Sequence, residues 1–111
     1  MKTPRLRTPS RKLRPVGTKA YSATIVALRK ILSEVFGASQ AAMAEKAGLS
    51  LSLLYRIIQG QREPTPTNIG AVIGAIPRKQ RDAALQLMAI YLQDVADETH
   101  HGYLVNVESA A

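Results

Sequence analysis

Hydrophobic residues recur at helical spacing in five stretches of this chain, and glycine, proline or polar residues separate the stretches. The predicted helices cover about residues 22–36, 40–47, 51–59, 66–76 and 79–97. Ser22 stands at a cap position before the first helix, and Gly37 follows its last apolar residue. Thr65 and Pro66 open the fourth helix, which Pro77 ends. The pattern therefore predicts an all-α bundle of about five helices.

Residues 39–64 carry the most specific local pattern, which is two short helices joined by a turn. Ser39 and Ser50 stand where side-chain caps are needed, each just before an apolar-periodic run. Ala44 allows close approach of the two backbones, and Gly48 allows a left-handed conformation in the turn. The apolar positions of the unit are Met43, Ala47, Leu49, Leu54 and Ile57. The second helix is left with a small polar and basic outward face, of the kind that fits a DNA groove.

This unit resembles the helix-turn-helix of the Cro and phage-repressor family of DNA-binding domains. The resemblance covers residues 22–76 and includes the loop after the second helix, with Gly60, Arg62 and Pro64. It continues through the apolar stripe of the next helix, Ile69, Val72, Ile73 and Ile76. It implies a five-helix, lambda-repressor-like bundle. Two residues depart from the family pattern: Ile58 stands where an acidic residue is usual, and Tyr55 where a small polar one is frequent.

The resemblance also implies a DNA-binding surface, because in this family the start and outward face of the second helix enter the major groove. Carried over to this chain, the DNA-binding residues are Gln40, Ser50, Leu51, Ser52, Tyr55, Arg56, Gln59 and Arg62. Arg56 is the candidate reader of a guanine, and a phosphate clamp is the alternative role. Gln40 and Arg62 are expected at phosphates. Tyr55 is expected either to bond a phosphate or to pack on the surface.

Length and composition limit the class of protein. A chain of 111 residues with 46% apolar content supports one small domain rather than two. There is no cysteine, and no apolar run approaches the roughly 20 residues needed to span a bilayer. The basic N-terminus lacks the apolar stretch of a secretory signal. We expect a cytoplasmic protein.

The net charge of +7 belongs to the N-terminal end of the chain. Residues 1–20 hold seven basic and no acidic residues, and the rest of the chain is formally neutral. With few large apolar side chains, residues 1–20 are expected to be a disordered arm. The arm is either a solubility tail or, as we favour beside a helix-turn-helix, a segment that follows DNA phosphates or the minor groove. The arm residues expected on DNA are Arg5, Arg7, Arg11, Lys12 and Arg14.

The C-terminal part offers more apolar surface than one small bundle needs. Leu85, Met88, Leu92 and Val95 follow one face of the predicted fifth helix, and Leu87, Ile90 and Tyr91 widen it. Residues 77–98 are therefore a candidate dimer element, and packing on the chain's own core is the alternative. Residues 99–111 are expected to be a tail or, over Tyr103–Val107, a short strand.

The charges of the fifth helix run against its dipole. Basic residues stand at its start, and Asp94, Asp97 and Glu98 stand at its end. Two explanations are open: the basic end lies near DNA and the acidic end away from it, or the acidic end docks the basic arm when DNA is absent.

No set of residues predicts catalysis. His100 and His101 are adjacent on the chain and have no cysteine or fixed carboxylate partner, so no metal or other cofactor is expected. We expect a non-enzymatic, homodimeric transcription regulator, a repressor by analogy, that binds specific duplex DNA. The alternative is an antitoxin-like module that neutralises a partner enzyme through its C-terminal part and regulates its own promoter. A phage packaging or replication accessory is a third hypothesis.

Overall fold

The computed structural model describes the backbone of residues 20–110 and the side chains of residues 20–99. The elements in this part are α1 (Ser22–Phe36), α2 (Gln40–Ala47), α3 (Leu51–Ile58), α4 (Pro66–Ala75), a 3-10 turn (Arg78–Gln80) and α5 (Arg81–Ala110). The all-α prediction is confirmed, and the bounds of α1 and α2 are the predicted ones. The predicted arm residues Arg5, Arg7, Arg11, Lys12 and Arg14 lie outside the described residues.

Side-chain caps fix the N-termini of three helices. The Ser39 hydroxyl accepts the backbone N–H of Ala42 at 3.1 Å, and the Ser50 hydroxyl accepts that of Leu53 at the same distance. At α4, the Thr65 hydroxyl accepts the N–H of Asn68, whose side-chain oxygen accepts the N–H of Thr65, and this forms a reciprocal capping box. Each cap provides an acceptor for a helix-terminal N–H, stabilising the helix start by about 1 kcal/mol.

The predicted Ser22 cap on α1 is wrong. Tyr21 holds the cap position in a left-handed conformation, with φ of 61°, and its side chain makes no capping bond. The capping bond comes instead from a carboxylate in α5. Asp94 Oδ2 accepts hydrogen bonds from the backbone N–H of Thr24 at 2.8 Å and from the Thr24 hydroxyl at 2.6 Å. The N-terminus of a helix favours such an anion. Part of the reversed charge order of α5 is therefore explained by tertiary contact with α1.

One hydrophobic core lies between the five helices. Its most deeply buried members are Leu28, Met43, Leu54, Ile57, Ile58, Val72 and Leu87. From α5, the core receives Ala84, Leu87 and Tyr91, while Leu85, Met88 and Leu92 of the predicted stripe are exposed. The periodicity identified an apolar helix correctly, and the structure shows that Leu87 and Tyr91 enter the core while most of the stripe stays exposed.

The C-terminal segment forms no strand. The backbone of Tyr103–Val107 continues α5, which runs to Ala110, so the predicted strand is wrong. Continuing the helix pairs each backbone N–H within the same segment, which a single strand cannot do. None of the described helices has an apolar stretch long enough to span a bilayer.

Gly70 and Gly74 do not mark a close approach between helices. A Cβ added at either position would meet no atom within 4 Å. Both residues lie on the exposed side of α4, so neither glycine mediates close packing of helices within the described part of the chain.

Candidate nucleic-acid interface

The turn between α2 and α3 sets the position of the candidate DNA-binding helix. Gly48 has φ of 70°, and its N–H bonds back to the carbonyls of Ala44 and Glu45. The next N–H, from Leu49, returns to the Ala44 carbonyl at 3.0 Å. These bonds form a helix-ending motif that needs a left-handed residue and redirects the chain toward α3. Ala44 is buried beneath the turn, where the sequence pattern required a small side chain.

The helix α3 divides sharply into a buried and an exposed side. Leu54, Ile57 and Ile58 lie inside the bundle. Five predicted DNA-binding residues lie on the opposite, solvent-exposed side: Ser50, Leu51, Ser52, Tyr55 and Arg56. Leu51 is 50% exposed and Tyr55 42%, which are large fractions for apolar or aromatic side chains. We call these five residues the outward face of α3.

Gln59 does not belong to this face. It is only 6% exposed, because it takes the C-cap position of α3, where the chain turns back over the core. Its backbone N–H bonds to the Tyr55 carbonyl at 2.9 Å. The prediction that Gln59 contacts DNA is corrected on this ground, since a buried side chain cannot reach a base edge.

The C-terminal end of α3 is fixed by two devices. Gly60 has φ of 78°, and the N–H of Gln61 returns to the Arg56 carbonyl at 2.9 Å. From α1, Arg29 Nε donates to the Ile58 carbonyl at 2.9 Å. A cation at a helix C-terminus is electrostatically favoured. The end of the outward face is thereby tied to α1.

The Arg29 guanidinium also has a nitrogen without a hydrogen-bond partner among the described residues. Its Nη2 is buried and makes no hydrogen bond within the described part of the chain. Burial also lowers the pKa of Arg29 below its usual value. Ile58 stands where an acidic residue is usual in the resembling family, and an isoleucine side chain cannot accept from this guanidinium.

The predicted phosphate-contacting residues lie in the elements before and after α3. Gln40 is half-buried at the first position of α2, and Arg62 is exposed in the loop between α3 and α4. A cleft of 180 Å³ joins that loop to the start of the described chain. It is lined by Ala20, Ile25, Gly60, Gln61, Arg62 and Glu63. Ala20, the first described residue, therefore lies in the same cleft as Arg62.

Sequence reasoning missed two residues that hold this arrangement in place, Arg29 and Asp94. Arg29 interrupts the apolar pattern of α1 between Leu28 and Leu32, which is a weak signal for a buried cation. Asp94 was noticed as part of an unusual charge order, but its partner Thr24 is 70 residues away in the sequence. No local pattern connects two residues at that separation.

Comparison with known proteins identifies the helix-turn-helix itself. Residues 36–77 match the model of a helix-turn-helix family, which spans α2, α3 and α4. No curated protein and no solved structure matches the chain significantly. Among the residues whose side chains are described, no cluster of histidine, aspartate and glutamate could hold a metal ion, and His100 and His101 lie beyond them. The matched family consists of DNA-binding regulatory domains and is not an enzyme family. Residues 36–77 therefore form a helix-turn-helix domain similar to those of the Cro and phage-repressor family, and this supports a DNA-binding transcription regulator.

Proposed function

We propose that this protein is a sequence-specific repressor that binds duplex DNA as a homodimer and blocks a promoter by occupying it. One observation carries the proposal. The outward face of α3 is exposed to solvent, while Leu54, Ile57 and Ile58 on the opposite side of the same helix are buried in the core. A helix held in this way can enter a groove without loss of the fold.

The outward face has the chemistry that base reading requires. The major groove is about 12 Å wide and admits one α-helix. There, the Arg56 guanidinium can donate two hydrogen bonds to guanine O6 and N7, and Leu51 can pack on a thymine methyl group. Ser52 can donate or accept and so discriminates weakly. Arg56 is thus the residue that we assign to sequence recognition.

The residues around this face supply contacts to phosphates, which set affinity and register without reading sequence. We assign Gln40, Tyr55 and Arg62 to this role, with Ser50 at the helix start. The arm residues Arg5, Arg7, Arg11, Lys12 and Arg14 would add affinity by releasing counterions. The position of Ala20 in one cleft with Arg62 supports this, because the residue that follows Lys19 lies near a proposed phosphate contact.

The exposed apolar stripe of α5 supports the dimer. Leu85, Met88 and Leu92 are 55%, 40% and 62% exposed, and their i, i+3, i+7 spacing places them on one side of the helix. A second copy of the same helix would cover the stripe with matching apolar surface. A two-fold dimer would place two recognition helices about 34–36 Å apart, in successive major grooves.

Selection of bound sequences from random duplex DNA, at two salt concentrations, tests the proposal. We expect an enriched and roughly palindromic site, with affinity that falls steeply as salt rises. Enrichment of one half-site without symmetry would exclude the two-fold dimer on DNA. Equal recovery of all sequences would exclude sequence-specific regulation.

The competing function, an antitoxin-like module, draws on a different observation. A groove of 360 Å³ runs between α1 and α5 and is lined mainly by apolar side chains, among them Val26, Ile31 and Ile90. A partner enzyme bound there or along the last part of α5 would use this surface instead of DNA. Stable co-purification with such an enzyme, lost on truncation after Asp97, would favour the antitoxin over the repressor.

A further inference from the structure

The first described residues, 20–24, are held in place by several contacts, and we call this segment the root of the basic arm. The Tyr21 ring stacks on that of Tyr91 in α5, with 5.8 Å between the ring centroids and 27° between the ring planes. The Tyr21 carbonyl accepts the backbone N–H of Ile25 at 3.0 Å. With φ of 61°, Tyr21 adopts a conformation that is strained for a bulky residue and is maintained by its surroundings. The direction in which the chain enters α1 is therefore determined by contacts with α5.

Asp94 gives the root its second attachment. One oxygen of its carboxylate accepts both the backbone N–H and the hydroxyl of Thr24. Thr24 is fully buried and Asp94 is partly buried, so the two hydrogen bonds are partly shielded from competing water. Hydrogen bonds to an ionised acceptor are roughly twice as strong as neutral ones. The stacked rings and this carboxylate bind the same short segment at two points.

The root also lies against the loop that follows α3. Ala20 and Ile25 line one cleft with residues 60–63 of that loop, which includes Arg62. The carboxylates of Glu63, Glu98 and Asp94 are near enough to Tyr21 to raise its pKa, after the larger effect of burial. The root thus sits between the acidic part of α5 and a loop assigned to phosphate contact.

We propose that Tyr91 and Asp94 are positioning residues for the basic arm: they fix its point of departure beside Arg62, so that the arm and the outward face of α3 meet one duplex together. This inference rests on the proposed function. A tethered basic segment contributes according to its effective concentration at the phosphates, and that concentration depends on where the tether starts. A fixed start also lowers the conformational entropy lost on binding.

The charges at the root allow this role to be separated from simple electrostatics. Asp94, Glu98 and Glu63 repel DNA phosphates, so loss of charge alone should leave binding unchanged or make it tighter. Loss of the hydrogen bonds to Thr24 should make it weaker. Asp94→Asn removes the charge but keeps an oxygen that can accept from Thr24. Glu98→Gln removes a nearby charge and leaves the Asp94–Thr24 bonds intact.

The experiment measures affinity for the selected duplex against salt concentration, in two backgrounds. One background is the unsubstituted chain, and the other carries glutamine at all five proposed arm contacts: Arg5→Gln, Arg7→Gln, Arg11→Gln, Lys12→Gln and Arg14→Gln. In the unsubstituted background, we expect Asp94→Ala to weaken binding about three- to tenfold and to reduce the salt slope by about one unit. In the neutralised background, Asp94→Ala should change affinity less than twofold, since the arm no longer contributes. Asp94→Asn, whose oxygen accepts from Thr24 more weakly than a carboxylate does, should lose less affinity than Asp94→Ala. Glu98→Gln should bind at least as tightly as the unsubstituted chain.

Equal losses from Asp94→Ala in both backgrounds would overturn the proposal, because Asp94 would then act through the bundle alone. No loss in either background would overturn it as well. If Asp94→Ala does not fold, Thr24→Val takes its place, since it removes only the hydroxyl bond; about a twofold loss confined to the unsubstituted background is expected. Failure of every variant and of the unsubstituted chain to bind any duplex would instead refute the proposed function.

Discussion

The helices α3 and α5 both expose large apolar side chains, but the neighbours of those side chains differ. On α3, Leu51 and Tyr55 alternate with Ser52 and Arg56. On α5, the exposed stripe of Leu85, Met88 and Leu92 is entirely apolar. A mixed face suits a DNA groove, which presents methyl groups, hydrogen-bonding edges and phosphates together. An apolar stripe suits another protein surface. Exposed apolar area alone does not identify the binding partner. The polar or apolar character of the neighbouring side chains indicates whether DNA or another protein surface fits.

The largest expected effect separates the two sides of α3. Leu54→Ala should lower the free energy of unfolding by about 2–5 kcal/mol, because it opens a cavity in the core beneath the outward face. Leu51→Ala, three residues earlier in the same helix, should change it by less than about 0.5 kcal/mol. Urea denaturation of both variants measures the difference. Equal losses would mean that Leu51 is covered in solution and that the outward face is not free.

The stripe on α5 is tested by adding one charge. Leu92→Glu should shift the protein from dimer to monomer in sedimentation velocity, because a carboxylate in an apolar interface loses its hydration without gaining a partner. Affinity for a palindromic site should fall at least about tenfold, as the second half-site no longer binds in the same complex.

Gln86→Glu is the matched control for the stripe. Gln86 lines the groove between α1 and α5, on a different side of the helix, and the substitution adds the same charge. It should leave the dimer intact. Dissociation by Gln86→Glu, with Leu92→Glu remaining dimeric, would transfer the interface to the groove.

Substitutions of Arg56 test whether the outward face of α3 reads a base pair or only contacts phosphates. Arg56→Ala should cost about 1–3 kcal/mol of discrimination at one base pair and relax the selected site there. Arg56→Lys keeps the charge but loses the planar fork, so it should relax the same base pair while retaining part of the affinity. Competition binding against single-base variants of the site measures both. If Arg56→Lys retains full specificity, Arg56 is a phosphate clamp.

The smallest expected effects are opposite changes in stability when Gly48 and Gly74 are replaced by alanine. Gly48→Ala should destabilise the fold by about 1 kcal/mol, because the turn needs a positive φ even though space for a Cβ is available. Gly74→Ala should stabilise it by up to about 1 kcal/mol, since alanine favours a helix and meets no atom there. Thermal unfolding measures both. Weaker dimerisation of Gly74→Ala would place a second subunit against α4 as well as α5.

Burial of two tyrosines gives the fold an alkaline limit. It raises the pKa of Tyr21 and of Tyr91 above the usual 10.0, so the folded state keeps protons that the unfolded chain releases. Their contribution is complete at lower pH and is lost as pH rises through the folded pKa values. Unlike the DNA-facing residues, these two rings sit where α5 meets the root of the arm.

The fold was most predictable where the signals are local. Serine caps, the turn glycine and helical periodicity predicted α2 and α3 almost to the residue. These signals act within one or two turns of chain, so they appear in the sequence at fixed spacing. The exposed side of α3 followed from the same pattern, with Gln59 as the exception at the helix end.

The sequence by itself determined an all-α chain with a helix-turn-helix and a separate basic arm, because caps, periodicity and charge are properties of neighbouring residues. Only the tertiary structure decided which side of α5 enters the core, since apolar residues occur on more than one of its sides. It also decided that Asp94 caps α1 and that residues 103–107 remain helical. Those outcomes depend on which surfaces meet across the bundle, and no spacing along the chain specifies that.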